Sequence, residues 1–263
     1  MYSDLMRDPV THQSVMSAKK LQEARRAYYS TLSIVDDEFG KLIQGMQEMG
    51  ALENTVVVFM ADHGQSVGEN DLWSMMSLME TATRVPFMIR LPDSTANFSI
   101  CDAPIELVDL YPTLVALSGL NLTFRLPGKD ISSCPRDGNA ISQITRCKNC
   151  KMAYWNDPSS CDPDESADRS YTVPCVMTPT PFFHYMGSSI RTQNWRASTY
   201  CEWNGLKEAT NFRRCVETEL YNHTADTGLY DIEHFENDNL ATSANAHITA
   251  QLLTKMEGKI NSQ

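Results

Sequence analysis

The sequence predicts an α/β fold, and two adjacent stretches early in the chain carry that prediction. From Leu21 to Met49 the apolar residues recur at steps of three and four, which is typical of one long helix with a single buried stripe. After a short turn, the stretch Thr55–Met60 is largely apolar and β-branched, as in a strand that is covered on both faces in a parallel sheet. Helix, short turn and strand in this order is the alternation of the α/β class.

The remaining elements follow with shorter signals. Gly50 is expected to end the long helix, and Pro86 is expected near the start of a second strand, where a missing backbone donor is tolerated. Gln193-Asn194 is a turn-prone pair between two strand-like runs, which indicates a hairpin. The elements predicted after Gly50 are strands at 85–91, 188–192, 195–203 and 218–221, and helices at 106–117 and 237–253.

Composition divides the chain into three parts. Residues 1–120 contain the α/β pattern. Residues 121–185 hold several prolines, five cysteines and an acidic run without a clear period, so an irregular region is predicted there. Regular patterns return in residues 186–263, which are predicted to form a separate C-terminal part.

The charge of the chain excludes some partners. A formal net charge of −11 argues against a nucleic acid, whose phosphates bind Lys and Arg. No apolar run reaches the roughly 20 residues that a membrane-spanning helix needs. The chain opens Met-Tyr-Ser-Asp without the apolar stretch of a secretory signal, so an upstream segment is expected.

With 263 residues and 42% hydrophobic content, the chain can bury a substantial core.

Cysteines and glycosylation sequons predict an oxidising, secretory route. The chain has eight cysteines, seven of them after residue 130, and an even count in a loop-rich region favours disulfides. Their pairing is left open because eight cysteines allow 105 combinations. Sequons begin at Asn97, Asn121 and Asn222, which are the candidate glycosylation sites.

Asp62 and His63 are the candidate metal ligands. They follow the predicted strand directly, and Gly64 then breaks it. Ligands of open α/β sheets bind beyond the carboxyl ends of the strands, where a carboxylate and a neutral imidazole can share a cation. The alternative is structural, with Asp62 capping the next turn and His63 packing on it.

Taken together, the motifs resemble those of the sulfatase family. Each one is weak alone, but their order and spacing agree from about Arg25 to about Leu240. The motifs, in chain order, are Arg26–Asp36, Asp62–Gly64, Glu80–Pro86, Asp109–Leu114, Leu126–Asp130, Gly187–Thr192, Trp195-Arg196 and Glu219–His223. The resemblance implies the C-terminal part of an alkaline-phosphatase-like sulfatase fold, ending in a smaller antiparallel sheet with a helix.

The resemblance also implies a site. Asp62 and His63 match the family's second pair of metal ligands, with calcium as the expected ion, and Arg84 and Arg191 are candidates for contacts with the substrate. The family's nucleophile motif, Cys-x-Pro-x-Arg, and its first pair of aspartates do not occur in these 263 residues. The expected partner is therefore the missing N-terminal half of the same fold. Where the family has a sulfate-binding lysine, five residues before Glu80, this chain has Met75.

The resemblance allows three functions. Hydrolysis of a phosphate ester is one of them, but Asp-His-Gly together with Glu-x-x-x-Arg-Val-Pro favours a sulfatase over it, and two functions remain. One is a sulfuric ester hydrolase that removes sulfate from a sulfated glycan with calcium, in a lysosomal or extracellular location. The other is a catalytically silent, secreted sulfatase-like protein that binds partners or glycans. Met75 favours the second function, because a thioether cannot replace an ammonium group as an anion ligand.

Overall fold

The computed structural model describes residues 18–75, 77–92, 99–121, 124–136, 138–146, 183–228 and 232–262. The helices are α1 (Ala18–Glu48), α2 (Glu80–Thr83), α3 (Leu110–Leu117) and α4 (Ala246–Ile260). The strands are β1 (Val57–Met60), β2 (Ser66–Val67), β3 (Trp73–Ser74), β4 (Phe87–Arg90), β5 (Asn139–Arg146), β6 (Tyr185–Thr192), β7 (Trp195–Asn204) and β8 (Ala209–Asn222). Short 3-10 turns lie at Leu52–Asn54, Glu69–Asp71, Leu107–Asp109, Ile232–Glu236 and Ser243–Asn245. Most of the predicted irregular region, 147–182, lies outside the described residues.

Helix α1 is present as predicted, but its apolar stripe is not buried. Gly50 ends it with a φ of 67°, a left-handed conformation that glycine adopts without steric cost. No residue of α1 is buried, and Leu32 remains 48% exposed. The helix meets the rest of the described chain where Phe39 packs on Phe59, with ring centroids 4.7 Å apart, and where Arg25 donates to the carbonyl of Val67. The prediction of a buried stripe was wrong because these contacts cover only part of it.

Strands β1 and β4 pair antiparallel, so the prediction of a parallel strand at Thr55–Met60 was wrong. Met60 lies opposite Phe87, so β4 begins beside the end of β1. A parallel pair would require the chain to cross back to the start of β1 before the second strand begins. Instead, residues 61–86 turn back through the short β2–β3 hairpin and α2. All four residues of β1 are half-buried.

Residues in and just before α3 form hydrogen bonds with the loop that contains Lys129 and Ile131. Asp109, 2% exposed, accepts a hydrogen bond from the backbone of Lys129 at 3.0 Å, and the Thr113 hydroxyl accepts one from Ile131 at 3.0 Å. Gly128 lies so close to the 3-10 turn Leu107–Asp109, which leads into α3, that an added Cβ would come within 2.2 Å of the Val108 carbonyl oxygen. The two motifs Asp109–Leu114 and Leu126–Asp130 are therefore one packing unit.

The C-terminal part is a four-stranded antiparallel sheet with one helix on it. The strand order is β5-β6-β7-β8, and β6 and β7 form the hairpin predicted at Gln193-Asn194. Helix α4 packs Leu252 and Met256 onto the sheet, and begins nine residues later than predicted. The buried core consists of Ile190, Ala197, Leu220, Leu252 and Met256. Strand β5 lies within the region predicted to be irregular.

Two disulfides brace the described residues. Cys101 pairs with Cys134, and Cys201 on β7 pairs with Cys215 on β8. The outer edge of β8 is partly covered, since Asn239 bonds both the Leu220 amide and the Thr218 carbonyl, and Leu240 donates to the Leu220 carbonyl. Within the ranges described above, no helix is long and apolar enough to cross a membrane.

Candidate functional site

Asp62 and His63 lie just beyond the end of β1 and face solvent. Their side chains are 86% and 44% exposed, and the Asp62 Oδ2 atom lies 3.7 Å from His63 Nε2. The backbone amide of His63 donates to Asp62 Oδ1 at 3.0 Å, and His63 Nδ1 lies 2.9 Å from the Gly64 carbonyl oxygen. If Nδ1 carries the proton and donates to that carbonyl, Nε2 is left with a lone pair beside the carboxylate. The pair therefore presents an oxygen and a nitrogen ligand on one exposed rim.

The segment after this pair is held against α2. The Gly64 amide donates to the Ala82 carbonyl at 2.8 Å, and the Ser66 and Thr81 hydroxyls lie 2.8 Å apart. A Cβ on Gly64 would come within 2.1 Å of the Thr81 carbonyl oxygen, so the approach requires glycine. The position of the rim is therefore set by the position of α2.

Helix α2 in turn opens on Glu80, which belongs to a buried group of charges that we call the Glu80 cluster. The cluster consists of Glu80, Arg84, Arg191, Arg196, His223, Asp226 and Glu236. It joins α2 to β6, β7 and the 3-10 turn Ile232–Glu236. The side chains of Asp226 and His223 are fully buried, and that of Glu80 is 4% exposed.

Arg196 is the centre of the cluster. It is 2% exposed, and its guanidinium bonds Glu80 Oε2 and, at 3.0 Å, the Thr83 hydroxyl. Its Nε lies 2.5 Å from Glu236 Oε1 and its Nη1 donates to Ser189 at 3.2 Å. A planar fork with five donors suits such a divergent set of acceptors. Arg196 therefore ties β7 to both α2 and the turn at 232–236.

Electrostatics in the cluster favour the charged forms. Burial alone would raise the pKa of Glu80, but the guanidiniums of Arg196 and Arg191 outweigh it and lower that pKa to about 2. Burial opposes the charge on Arg196, yet Glu236 and Glu80 raise its pKa above the ordinary value. Burial also raises the pKa of Tyr221, which lies opposite Arg196 across β7 and β8. The cluster is a compensated ion-pair network.

The Glu80 cluster contains a triad that could be mistaken for a metal site. Ligand atoms of Glu80, His223 and Glu236 lie within 4.8 Å of one another. However, Arg196 already pairs with both carboxylates, and Arg191 pairs with Glu80 at 3.1 Å. A divalent cation there would sit against two guanidiniums at short range, which opposes binding. The arrangement supports a structural role.

Other predicted site residues fall into several places. The Arg84 side chain is 40% exposed and pairs with Glu80 at 3.3 Å. The Arg191 side chain is 12% exposed and pairs with Glu80 and with Asp226, each at 3.1 Å. Contact of either arginine with the substrate stays a prediction. Asn121 and Asn222 are exposed, and Asn97 lies outside the described residues. Met75 is 40% exposed.

Sequence reasoning assigned no role to His223, which ends the motif Glu219–His223, and it missed Asp226 and Glu236. His223 lies inside the sequon that begins at Asn222, which indicated only a surface position. A weak signal was present, since residues 223–236 hold six acidic or imidazole side chains and two arginines, Arg191 and Arg196, occur earlier on β6 and β7. Nothing local indicated that all of these residues meet Glu80, which is more than 100 residues earlier.

The architecture defines the class of protein. The described chain combines an α/β part with an antiparallel sheet and a terminal helix, and it superimposes on a protein solved in complex with its substrate D-glucosamine-2-N,6-O-disulfate. That match has a TM-score of 0.61 and 21% identity, and covers 91% of this chain and 40% of that protein. The fold is of the sulfatase and alkaline-phosphatase-like class, which confirms the predicted α/β fold.

Sequence comparisons relate part of the chain to sulfatases. Residues 7–120 match the sulfatase family model. The choline-sulfatase of Rhizobium meliloti (strain 1021) is 32% identical over 140 residues, which are 53% of this chain and 26% of that enzyme. The iduronate 2-sulfatase of Homo sapiens is 25% identical over 231 residues, which are 76% of this chain and 42% of that enzyme. Over residues 7–120 the chain is similar to the sulfatase family, and it spans less than half the length of these relatives.

Proposed function

We propose that this chain is part of a sulfuric ester hydrolase of the iduronate 2-sulfatase-like kind, which removes sulfate from a sulfated glycan. The observation that supports the proposal is the outward-facing Asp62–His63 pair at the rim beyond β1, in a chain that is similar to the sulfatase family over residues 7–120. A structural neighbour was solved with a disulfated glucosamine as its substrate, which favours a sulfated sugar as the substrate class.

The donor set of the rim fits a divalent cation. The site has an exposed carboxylate and an adjacent imidazole nitrogen, and no Lys or Arg of the described residues pairs with either, so a cation can bind without first breaking such an ion pair. We propose calcium as the ion. Calcium takes six to eight oxygen ligands, so Asp62 and His63 form only part of its site, and the N-terminal half of the fold is the proposed source of the others. When bound, such an ion offsets the negative charge of a sulfate group.

The residues of this chain have separate tasks in that site. Asp62 keeps Oδ2 available because its other oxygen accepts from the His63 amide. His63 is oriented by the Gly64 carbonyl, so that its Nε2 atom points toward the same side as the carboxylate. Both groups therefore converge on one ligand without rearrangement, and His63 can alternatively donate a hydrogen bond to the sulfate in its protonated form.

The experiment compares Asp62→Asn with the wild type in the longest form of the protein that the gene encodes. We expect the variant to hydrolyse 4-nitrophenyl sulfate at least about tenfold more slowly, because a neutral amide is a poorer cation ligand. Asp36→Asn is the matched control, since Asp36 is exposed on α1 and the substitution changes charge equally. Equal rates for wild type and Asp62→Asn would contradict the proposal.

The second candidate is a silent, secreted sulfatase-like protein that binds glycans, and the observation that favours it is Met75. A methionine cannot bind sulfate as an ammonium group does. If this candidate is correct, the wild-type protein binds a sulfated oligosaccharide in a calorimetric titration but releases no sulfate. Restoring the cation with Met75→Lys is then expected to tighten that binding.

We also propose a secretory route that ends in the lysosome or outside the cell. Two disulfides, Cys101–Cys134 and Cys201–Cys215, are the structural support, because such bonds persist in oxidising compartments. The exposed sequon residues Asn121 and Asn222, together with Asn97, are the proposed glycosylation sites. Peptide mapping of the secreted protein after glycosidase treatment tests each asparagine separately.

A further inference from the structure

We infer that Arg196 and Glu236 are positioning residues for the Asp62–His63 rim, although neither touches it. They act through α2, which contacts the Glu80 cluster on one side and the rim segment on the other. The inference rests on the proposed cation-binding function of the rim. It adds that Arg196 and Glu236, a buried ion pair of the C-terminal part, fix the position of the cation-binding side chains.

The first link is between the rim and α2. Within residues 61–66, Ala61 donates to the Pro86 carbonyl at 3.3 Å and Gly64 to the Ala82 carbonyl at 2.8 Å. The Ser66–Thr81 hydroxyl contact adds a third bond, so both ends of the rim segment are attached to 81–86. A displacement of α2 therefore displaces the backbone that carries Asp62 and His63.

The second link is between α2 and the Glu80 cluster. Helix α2 is only four residues long and has no side-chain N-cap, so it cannot hold its own conformation. The Glu80 amide instead donates to Glu236 Oε2 at 2.6 Å, and Arg196 bonds both the Glu80 carboxylate and the Thr83 hydroxyl. Both termini of the turn are thus fixed by side chains from outside it.

The chemistry of Arg196 makes this link sensitive to substitution. One guanidinium reaches Glu80, Thr83, Glu236 and Ser189 at the same time. The single ammonium of a lysine keeps the charge but cannot reproduce that fork. Arg196→Lys is therefore expected to preserve the charge balance of the cluster while releasing part of the hold on α2.

The test uses the longest form of the protein that the gene encodes, labelled on its histidine rings and followed by NMR, with the His63 signal assigned from His63→Gln. We expect Arg196→Lys to shift the ring signals of both His223, within the cluster, and His63, at the rim. Calcium affinity is expected to fall about tenfold, the lower end of the effect of residues that support metal ligands. Arg214→Lys is the matched control, because Arg214 pairs with Glu202 on an exposed hairpin, and both ring signals should stay in place.

Thr81→Val isolates the link between α2 and the rim. It removes the hydroxyl bond to Ser66 and leaves the Glu80 cluster intact, so it should shift His63 but not His223. If Arg196→Lys does not fold, as judged by circular dichroism, Glu236→Gln replaces it with the same expected pattern. The isosteric amide keeps an acceptor for the Glu80 amide but loses the charge that faces Arg196.

The outcomes separate this inference from the proposed function. If Arg196→Lys or its replacement shifts His223 and leaves His63 unchanged, the cluster is structural only and the inference is overturned. If His63 shifts in these variants but the wild-type protein, in the longest form that the gene encodes, gives no calcium-dependent change, positioning stands and the calcium proposal fails. Loss of calcium affinity without any shift of His63 would also overturn positioning through α2.

Discussion

At the scale of single residues, Arg84 and Arg191 differ in exposure although they share carboxylate partners. Arg191 is 12% exposed and contacts Glu80 and Asp226 at 3.1 Å, whereas Arg84 is 40% exposed and lies 3.3 and 3.4 Å from the same two residues. Removing one partner of a buried ion pair leaves an uncompensated charge, whereas an exposed ion pair contributes little. The two arginines should therefore respond differently to the same substitution.

We predict that Arg191→Met lowers the free energy of unfolding by about 3 kcal/mol and that Arg84→Met lowers it by less than about 1 kcal/mol. Urea denaturation followed by tryptophan fluorescence measures both values, with Arg84→Met as the matched comparison. A substrate contact for Arg191 predicts another pattern, in which binding of a sulfated sugar weakens while the urea midpoint hardly changes.

At the scale of elements, α4 is held on the antiparallel sheet by a small apolar core. Leu220 on β8 and Met256 on α4 are both 0% exposed and belong to the same cluster. Leu206, in the turn between β7 and β8, is 97% exposed. Because Leu220 and Leu206 are the same residue type but differ in exposure, comparing their substitutions by alanine measures the effect of burial.

We predict that Leu220→Ala lowers the free energy of unfolding by about 3 kcal/mol, because it removes buried methyl groups and leaves a cavity. Leu206→Ala is expected to change it by less than about 0.5 kcal/mol, as is usual for surface positions. Thermal and urea denaturation of the two variants test this prediction. Similar losses for both would show that this core does not limit stability.

At the scale of the whole molecule, the Glu80 cluster links acidity to stability. The pKa of Glu80 is lowered in the folded state from 4.5 to about 2. The folded state therefore binds a proton on Glu80 more weakly than the unfolded state does. The resulting stabilisation is fully present above about pH 4.5 and is lost as the pH falls toward 2.

We predict that the free energy of unfolding falls by about 3 kcal/mol, from Glu80 alone, as the pH is lowered from 5 to 2. Because Glu80 shares its cluster with other charged groups, its contribution is measured as the difference between wild type and Glu80→Gln. Urea denaturation at several pH values gives, for each of the two proteins, the slope of the free energy of unfolding against pH. Parallel slopes for the two proteins would contradict the prediction.

Local patterns predicted the elements better than they predicted the contacts between them. Periodic apolar residues located α1 and indicated a terminal helix, although α4 begins nine residues later than predicted. The turn-prone pair Gln193-Asn194 located the β6–β7 hairpin. The same patterns predicted a parallel sheet for β1 and a buried apolar stripe for α1. An apolar residue indicates that its side chain prefers to be buried, but not which part of the protein it packs against.

In the candidate site, too, residues that are adjacent in the sequence were predictable, whereas contacts between distant residues were not. Asp62 and His63 could be found because they adjoin a strand and match a motif within three residues. The Glu80 cluster could not, since Arg196 meets Glu80 only after the chain has formed β6, β7 and the turn at 232–236, at a separation of 116 residues. Buried charges are rare, so a single sequence favours a solvated role for each of these residues.

The partly covered edge of β8 has a consequence for how copies of this protein meet at high concentration. An unpaired strand edge is a template on which a second chain can add its own strand. Among the described residues, Asn239 and Leu240 occupy backbone groups at 218–220, and the register of β8 is interrupted between Asn211 and Glu217, where Arg213, Arg214 and Glu217 are exposed. Intermolecular strand addition would thus have to begin among exposed charges of both signs, which makes aggregation through β8 unfavourable.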